Sequence, residues 1–364
     1  MSKNLYVDFH VIQTVPPSCV NRDDTGSPKT AMYGGVMRAR VSSQAWKKAI
    51  REKFKELFTS EFIGYRTKKI SELVAKKVCE LSTEVTLEDV EKDVVAALEL
   101  AGVKSGTDKK DALFFISSLQ VENMAKLVIE YKKDTISKKE KEKIWKSRFE
   151  SALNDNPSVD ILLFGRMAAS NPCLNYDAAA QVAHSISTHA ISNEYDYFTA
   201  VDDCEKAENA GAGHLGTVEF NSSTLYRYAT VNVRKLAEKL KADELKIALK
   251  GFAEAFIYSM PTGKMNTFAN KTLSDMIYVT LRKDQPINLA GAFEEPVVSN
   301  KGYVRESKKA FVDYAAKVYK DYVAIPDKEW IVGDMDISSA KKANITELLT
   351  DMEYEIGQAV GERE

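Results

Sequence analysis

The sequence predicts an α+β fold in which strands and helices follow one another in ferredoxin-like order, interrupted by large insertions. Near residues 5, 217 and 276, apolar residues alternate with polar or small ones, which is the period of a β-strand. Between these runs, apolar residues recur every three or four positions, as on one side of a helix. The resulting order of strand, helix, strands, helix and strand is that of a ferredoxin-like domain.

The composition is that of an ordinary globular protein. The 364 residues include 51 Lys and Arg against 53 Asp and Glu, and 44% are hydrophobic, which excludes a disordered, collagen-like or coiled-coil chain. The four cysteines are far apart and form no C-x-x-C pair, so neither a disulfide framework nor a zinc site is expected. No signal peptide or long apolar run is present. We therefore expect a cytoplasmic protein of about two domains, with no membrane partner.

The first predicted strand contains four apolar residues that alternate with polar or small ones: Leu5, Val7, Phe9 and Val11. This pattern predicts that one face of the strand is buried. Residues 16–35 follow with tandem prolines, Asn21, two aspartates and paired glycines, a composition typical of a long irregular loop. Long loops in compact domains often carry function.

A helix with an apolar face and a basic face is predicted from Ser42. The apolar face carries Trp46, Ile50, Phe54 and Leu57, and the basic face carries Lys47, Arg51 and Lys55. Between Lys29 and Lys55 there are eight cationic residues and one acidic residue, Glu52. Cations at this spacing can contact successive phosphates, so the segment favours nucleic-acid binding over a merely solvated helix face.

Residues of about 60 to 190 show helical periodicity broken by turn signals and predict a helical insertion. Its longest run of strand composition is Val159–Phe164. A second cationic stretch, Lys132–Arg148, contains eight bases and three acids. Residues Asn193–Gly216 have neither helical nor alternating periodicity and are aromatic, then acidic, then rich in glycine. We predict an extended excursion from the core there.

The remaining chain returns to regular periodicity. Thr217–Val233 is predicted to be a strand, residues 234–258 a single helix, and residues 276–281 a further strand. From Asp321 to the end, eleven acidic residues outnumber four basic ones. Such an acidic surface keeps a protein soluble or docks on a basic neighbour.

Three patterns that suggest enzymatic chemistry are weak. Gly211–Gly216 matches G-x-G-x-x-G, but a strand follows it where a dinucleotide site needs a helix. The histidines lack the spacing of metal ligands on a helix. Asp23 and Asp24 are adjacent carboxylates that could hold Mg²⁺ beside a phosphodiester, although such residues also shape tight turns. We favour the turn role, and expect no catalytic residue, metal or cofactor.

Six blocks of residues, in order along the chain, point to one family. They are 17–24 (PSCVNRDD), 34–44 (GGVMRARVSSQ), 165–168 (GRMA), 198–203 (FTAVDD), 214–217 (HLGT) and 226–228 (YRY). These blocks resemble the CasC family of the RAMP superfamily, the repeated backbone subunits of the type I-E CRISPR Cascade surveillance complex. Members of that family resemble a right hand with a modified RNA-recognition palm, a helical fingers domain and an extended thumb.

The resemblance implies a domain organisation and a function. The first part of the palm would be residues 1–58, the fingers 59–190, the thumb 191–222, and the second part of the palm with the C-terminal region 223–364. Several copies would oligomerise along one guide RNA, the crRNA, beside other Cascade subunits. This ribonucleoprotein would present the guide for base pairing with a target DNA strand in antiviral defence, which makes the chain a non-catalytic scaffold.

The resemblance also implies three groups of site residues. The guide RNA would be held by Arg22, Lys29, Ser42, Gln44, Lys47, Lys48, Arg51, Arg166 and Met167. A guide base would be displaced at the thumb by Tyr197, Phe198, Val201, His214 and Leu215. Target DNA would be attracted by Lys138, Lys139, Lys141, Lys143 and Lys146. Backbone contacts suit this function because a guide carrier has to accept any sequence.

Two alternatives remain at this point. One is a metal-dependent ribonuclease, since backbone subunits of type III effector complexes resemble this architecture and cut target RNA with a loop aspartate. In that case Asp23 or Asp24 would be the catalytic residue. The other is a generic single-strand binder without preference for CRISPR transcripts or a fixed number of copies per guide.

Overall fold

The computed structural model describes residues 4–82, 85–104, 113–135, 138–200, 204 and 214–361. The chain divides into two compact units. We call them the sheet unit, Met1–Lys53 with Gln181–Glu364, and the helical unit, Phe54–Ala180. Among the described residues, no helix has both the length and the apolar character that crossing a membrane requires.

The elements up to the end of the helical unit begin with three strands, and helices predominate after them. In chain order they are β1 (Tyr6–Ser18), β2 (Thr30–Tyr33), β3 (Val36–Val41), α1 (Ser43–Leu57), β4 (Gly64–Thr67), α2 (Ile70–Leu81), α3 (Leu87–Leu100), β5 (Phe114–Ser117), α4 (Ser118–Lys133), α5 (Lys138–Asn154) and α6 (Val159–Phe164). β2 lies within the segment predicted to be an irregular loop, and this part of the prediction is wrong.

The remaining elements belong almost entirely to the sheet unit. They are β6 (Ala180–Val182), β7 (Ser185–Ser187), β8 (Glu194–Ala200), β9 (His214–Asn232), α7 (Val233–Ala237), α8 (Ala242–Tyr258), α9 (Met265–Phe268), β10 (Met276–Arg282), α10 (Val304–Asp321), β11 (Lys328–Gly333), β12 (Lys341–Lys342) and α11 (Ile345–Gly361). Residues 234–258 therefore form two helices rather than one. They separate at Lys241, whose backbone is extended and whose N–H donates to Glu244 Oε2 at 2.9 Å.

One large sheet organises the described part of the sheet unit. Its strand order is β12-β11-β10-β1-β9-β7-β3-β2, and β6 and β8 pair with β9 outside this path. β1 lies between β10 and β9 and is antiparallel to both. The order β1, α1, β7, β9, α8, β10 along the chain, with β10-β1-β9-β7 in the sheet, is the ferredoxin-like arrangement. The predicted α+β fold is thus confirmed.

The first strand is buried on both faces, which corrects the prediction of one buried face. On one side the ring of Phe9 lies 5.7 Å from that of Phe252 and 5.9 Å from that of Phe256, both on α8. On the other side the His10 ring lies 5.6 Å from Tyr278 and 5.5 Å from Phe311 of α10. The alternation of apolar with polar or small residues did not indicate a solvated face in β1, because helices cover both sides of this central strand.

The helical unit has its own core and contains two strands and a short helix that the sequence did not predict. β4 and β5 pair antiparallel, and α2 to α5 bury apolar faces around Trp145 and Phe149. Val159–Phe164, the longest run of strand composition in this region, forms helix α6. The run is buried along nearly its whole length, so its periodicity carried no signal. Gly165 ends it with φ of 77°.

The residues predicted to form an extended excursion from the core form a regular β-hairpin at their described ends. β8 pairs with the first part of β9, in a register that sets Glu194 opposite Phe220 and Ala200 opposite His214. β9 runs on for 19 residues into the centre of the sheet. The predicted strand at Thr217–Val233 therefore begins three residues earlier than expected.

The sheet ends at β12, which consists of two lysines paired in parallel with β11. Lys341 forms an ion pair with Asp351, and Lys342 lies 3.2 Å from Asp336. Both residues are exposed. At the other end of the sheet, the outer strand β2 pairs with β3 and carries the exposed Met32 opposite Met37.

Candidate nucleic-acid interface

The basic helix α1 is held in one rotation by its buried tryptophan. Trp46 Nε1 donates to Ser185 Oγ at 2.9 Å, and the guanidinium of Arg227 stacks over the Trp46 ring at 3.9 Å from its centroid. Because Trp46 points into the sheet unit, positions one and two residues away turn outward. Lys48 is exposed and Lys47 is half-buried.

Three further predicted residues, at the start of α1 and along it, differ in what they offer to a ligand. Gln44 is exposed in the first turn, and Arg51 is half-buried one turn beyond Lys48. Ser42 is buried, and its Oγ accepts a hydrogen bond from Ala45 N at 3.2 Å. Its hydroxyl thus caps the helix. The structure therefore assigns Ser42 to the helix terminus and not to an exposed contact.

Asn21 ties the preceding loop to α1. Its Oδ1 accepts from Ser42 N at 2.9 Å, and its backbone carbonyl accepts from Lys29 N at 2.8 Å. Arg22 and Pro28 form an isolated antiparallel bridge, so residues 19–29 are a closed turn and not an open strand connection. Arg22 is exposed on this turn. The sequence offered no signal for the role of Asn21 beyond its preference for turns.

Asp23 is occupied by its own loop. Its Oδ1 accepts hydrogen bonds from Thr25 N and Ser27 N, both at 3.0 Å, and from Thr25 Oγ1 at 2.7 Å. The hydroxyl bond of Thr25 and the two amide bonds hold the pKa of the Asp23 carboxyl below its usual value. Among the described residues, no group of three or more His, Cys, Asp or Glu side chains is arranged to hold a metal ion.

A groove of about 590 Å³ lies between this loop, α1 and residues 260–263. Arg22 and Lys48 line it, together with Asp23, Asp24 and Glu52. We call it the α1 groove. Its third wall comes close to the loop because Gly263 has no side chain: a Cβ atom there would lie 2.2 Å from the carbonyl oxygen of Val20. The groove therefore depends on glycine at this position.

A narrow cleft continues from the α1 groove, with which it shares Val20 and Asn21. Lys29 and Arg40 line this cleft. Arg40 is fixed by Thr30 O, which accepts from its Nε at 3.0 Å, and by His184 Nδ1, 3.2 Å from its terminal nitrogen. Sequence reasoning counted Arg40 in the cationic run but did not select it as a site residue.

The pKa of His184 reflects the positive charge of the cleft. Partial burial, followed by the charges of Arg40 and Lys29, lowers the pKa of its imidazole below the ordinary value. A neutral ring can accept the hydrogen bond from Arg40 at Nδ1. His184 is thus a polar neighbour that leaves the positive charge of Arg40 uncompensated, which favours an anionic ligand.

Arg166 and Met167 are neighbours in the chain but differ completely in exposure. The Arg166 guanidinium is buried and donates to Leu174 O, Phe115 O, Gln120 Oε1 and Leu153 O at 2.8 to 3.3 Å. Burial lowers its pKa to about 10, so it stays charged near neutral pH. This corrects its assignment as an RNA contact: the side chain is a core anchor. Met167 is 80% exposed.

The β8–β9 hairpin presents aromatic side chains on both of its faces. Tyr195 and Tyr197 are two residues apart and therefore share one face, with 70% and 69% of their surfaces exposed. Phe198 lies on the other face and is 49% exposed. Thr199 pairs with Leu215, and Ala200 with His214, at the far end of the described hairpin. Val201 lies outside the described residues.

The lysines predicted to attract DNA belong to α5 in the helical unit. Lys138, Lys139 and Lys141 lie in the first turn and a half of this helix, and Lys143 and Lys146 are exposed on it. Between them, Trp145 is buried and its Nε1 donates to Asp134 Oδ2 at 2.7 Å. The burial of Trp145 orients Lys143 and Lys146 toward solvent.

Two solved structures are similar to the chain over nearly its whole length. A chain of a "CRISPR RNA-guided surveillance complex, pre-nicking" is 30% identical with a TM-score of 0.81, and the match covers 96% of this chain and 100% of that one. A chain of a "CRISPR RNA-guided surveillance complex" is 27% identical with a TM-score of 0.62, covering 96% and 99%. No curated protein matches the sequence.

The family model of the CT1975-like proteins matches residues 7–354. The matched range includes α1, the loop that precedes it, the helical unit and the β8–β9 hairpin. Because the match extends over nearly the whole sheet unit and all of the helical unit, it is not the result of one shared motif. The chain belongs to the CT1975-like protein family.

Proposed function

We propose that the protein is a guide-RNA-binding subunit of a CRISPR surveillance complex, and that it acts as a non-catalytic scaffold of the CasC kind found in type I-E Cascade. The observation that carries the proposal is the cleft beside the start of α1, whose described lining includes Lys29 and Arg40 and no acidic residue. Arg22 and Lys48 line the α1 groove, and Lys29 and Arg40 line the cleft that adjoins it. Its cations can bind phosphates without reading bases.

This surface suits a carrier that accepts any guide sequence. Ionic contacts with phosphates supply affinity in proportion to the number of charges, and they restrict no base. Base pairing with target DNA then supplies the specificity, as in other RNA-guided systems. The similar chains come from RNA-guided surveillance complexes, which supports the same function.

We further propose that several copies lie along one guide beside other subunits, and that the β8–β9 hairpin of each copy displaces a guide base. Exposed aromatic rings on both faces of a hairpin are suited to replace the stacking that a displaced base loses, which is worth about 1 to 3 kcal/mol per base. Tyr197 and Phe198 provide such rings. Lys143 and Lys146 of α5 would attract the target strand in the cytoplasm.

The ribonuclease alternative requires a loop aspartate that is available to bind a metal ion. Asp23 already accepts three hydrogen bonds from Thr25 and Ser27, so its carboxylate closes the loop. We therefore assign Asp23 to the turn. Regularly spaced, Mg²⁺-dependent cleavage of complementary RNA by the assembled complex, lost on Asp23→Ala, would reverse this assignment.

Native mass spectrometry of the protein mixed with RNA tests the scaffold function. We expect a fixed number of copies on a CRISPR guide transcript, increasing in steps when the spacer part of the guide is lengthened. A scrambled spacer of equal length should carry the same number of copies. A scaffold that ignores sequence has to give this result, and a copy number that varies with spacer sequence contradicts the proposal. Variable loading of any RNA would instead indicate a generic single-strand binder.

A further inference from the structure

A second groove, of about 560 Å³, lies beside the N-terminal end of α10 in the sheet unit. The end of β1 at Thr14–Pro16 and the segment Ser222–Thr224 of β9 form its wall on the sheet side. Lys301 to Arg305 and Lys308 form the opposite wall. We call it the α10 groove. Neither the charge pattern of the sequence nor the resemblance points to it.

Cations outnumber acids in this groove. Lys301, Arg305 and Lys308 line it together with one carboxylate, Asp334. Lys308 Nζ donates to the backbone carbonyl of Asp334 at 3.3 Å, and Arg305 forms an ion pair with Glu306 at 3.0 Å. The Arg305 side chain is 87% exposed, so this ion pair is weak and can be exchanged for a ligand phosphate.

The groove is rigid because its aromatic wall is fixed on both sides. His189 stacks on Tyr303, with ring centroids 3.6 Å apart and an angle of 8° between the planes. Its Nε2 accepts from Thr224 N at 3.1 Å, which leaves the proton on Nδ1 to donate to Ala190 O at 2.9 Å. One neutral tautomer thus connects β9 with the residue that precedes α10.

A second attachment holds the first turn of α10 at the same place. Ser307 Oγ and Thr188 Oγ1 lie 2.8 Å apart, and Val297 N donates to Thr188 O at 3.0 Å. In the described part of the chain, the N-cap residue Tyr303 makes no side-chain capping bond, so the first backbone N–H groups of α10 lack that partner. They add to the positive potential that the three side chains create.

The α10 groove adjoins the cleft that carries Lys29 and Arg40. Val15 and Ser223 line both of them, and these two residues are direct partners in the β1–β9 ladder. The cleft shares Val20 and Asn21 with the α1 groove. The α1 groove, the cleft and the α10 groove therefore adjoin one another, and each is lined by at least two cationic side chains.

We propose that the sugar-phosphate backbone of the bound RNA continues past the base of the hairpin into the α10 groove, where Lys301, Arg305 and Lys308 contact its phosphates. This inference rests on the proposed function and extends the binding site to the second face of the sheet. The hydroxyls of Ser222 and Ser223 supply neutral donors beside the cations. The contacts would again be to phosphates and would leave guide sequence unrestricted.

The test measures the affinity of the full-length protein for a fluorescently labelled guide-length RNA as a function of salt. The variant is the pair Lys301→Gln and Lys308→Gln. The matched control is Lys317→Gln with Lys320→Gln, which removes the same charge from exposed positions further along α10. A third variant, Lys48→Gln with Arg51→Gln, tests the α1 surface.

For a single strand, each lost phosphate contact reduces the slope of log affinity against log salt by about 0.7, so the groove pair should reduce it by about 1.4. The Lys317 and Lys320 pair should leave it unchanged. Equal slopes for the groove pair and this control would overturn the inference, while a loss in the α1 variant would leave the proposed function intact. No loss in the α1 variant would count against the proposed function itself.

If the groove pair binds RNA with normal affinity but several copies no longer load on the guide, the α10 groove would instead bind an acidic surface of a neighbouring copy. That outcome would also overturn the inference. Circular dichroism melting of each variant checks that the sheet unit remains folded. If the groove pair fails to fold, Arg305→Gln is the substitute, because its largely exposed side chain makes no core contact.

Discussion

Phe198 and Gly216 are opposite each other in the β8–β9 hairpin, and the Phe198 ring occupies the space that a side chain at position 216 would need. A Cβ atom at Gly216 would lie 2.4 Å from Phe198 Cζ. The glycine therefore lets the ring lie over the neighbouring strand. This relationship connects a backbone position with the aromatic surface that the proposed function uses to displace a base.

Gly216→Ala should push the Phe198 ring off the hairpin and weaken ordered loading on the guide without unfolding the protein. The ring is half exposed, so we expect a stability change below about 1 kcal/mol. Guides carrying 2-aminopurine at successive positions report displaced bases as regularly spaced bright positions, which the variant should lose. Phe198→Ala should have the same effect, and adding Gly216→Ala to it should change nothing further. Additive losses would contradict a shared mechanism.

Charge changes on α1 should affect RNA affinity in opposite directions. Lys48→Gln should weaken binding and reduce the salt slope by about 0.7, because it removes one phosphate contact. Glu52→Gln removes a carboxylate from the same groove and should tighten binding about two- to fivefold, since one exposed charge interaction is worth up to about 1 kcal/mol. Fluorescence anisotropy at several salt concentrations measures both. Weakening by both variants would indicate damage to the helix instead.

The imidazole of His184 should report phosphate binding near Arg40. In the free protein burial and the charges of Arg40 and Lys29 lower its pKa, so it protonates only below its ordinary range. A bound phosphate offsets both charges and should raise the pKa. NMR titration of the His184 ring with and without RNA measures the shift, and His10, which is fully buried, is the internal control. An unchanged or lower pKa in the complex would place the RNA elsewhere.

Substitutions at Arg166 and Met167 should differ in their effect on stability: the first should destabilise the helical unit and the second should not. Arg166→Met leaves four backbone and side-chain acceptors without their donor, and should destabilise the helical unit by about 3 kcal/mol or more. Met167→Ala should change stability by less than about 0.5 kcal/mol, since its side chain is exposed. Hydrogen exchange by mass spectrometry, compared between Phe54–Ala180 and the sheet unit, measures both. Unchanged exchange in the Arg166 variant would contradict its role as an anchor.

His10 should make folding sensitive to mild acid. Burial lowers its pKa to about 3, while the unfolded chain has the ordinary value near 6.5. The stabilising contribution of the neutral ring is therefore complete above pH 6.5 and is lost as pH falls from there toward 3. His10→Phe lacks this proton uptake. Its free energy of unfolding, relative to that of the unsubstituted protein, should rise by about 2 kcal/mol between pH 7.5 and 5.

Asp8, two residues away on β1, opposes this trend in the unsubstituted protein. Burial raises its pKa to about 6, so protonation below pH 6 stabilises the folded state. Its Oδ2 accepts from Ile287 N at 2.8 Å, and its Oδ1 from Tyr228 Oη at 3.1 Å. Urea unfolding at a series of pH values, compared between the two proteins, isolates the His10 contribution. If the two plots of unfolding free energy against pH run parallel, the pKa of His10 does not differ between the folded and unfolded states.

The sequence predicted those elements whose periodicity matches one buried face. Trp46 and Ile50 recur on α1 at helical spacing, and both are buried. The same reasoning predicted β1 as a strand but was wrong about its second face, and it carried no signal for α6, which is buried along nearly its whole length. The hairpin at β8 was missed for a different reason: Tyr195 and Tyr197 are exposed beside Asp196, which is also exposed, so no face is apolar.

The candidate site was predictable in its charge but not in its geometry. Cations at intervals of four predicted that α1 presents Lys47, Arg51 and Lys55; of these, Lys55 is exposed, and Lys47 and Arg51 are half-buried. Ser42 and Arg166 lie within matching blocks of sequence, yet Ser42 is buried and its Oγ accepts from Ala45 N, and the buried Arg166 side chain donates to the distant carbonyl of Phe115. Burial of this kind depends on tertiary structure, and a single sequence does not encode it in any local pattern.

The two-lysine strand β12 has a consequence for proteins that accumulate in many copies. A longer, apolar outer strand would offer unpaired backbone groups to the next molecule and would begin a cross-β fibre. Here the last rung is two residues long, charged, and engaged with Asp336 and Asp351. A second molecule therefore meets a short, charged edge here, which disfavours strand pairing between copies at high local concentration.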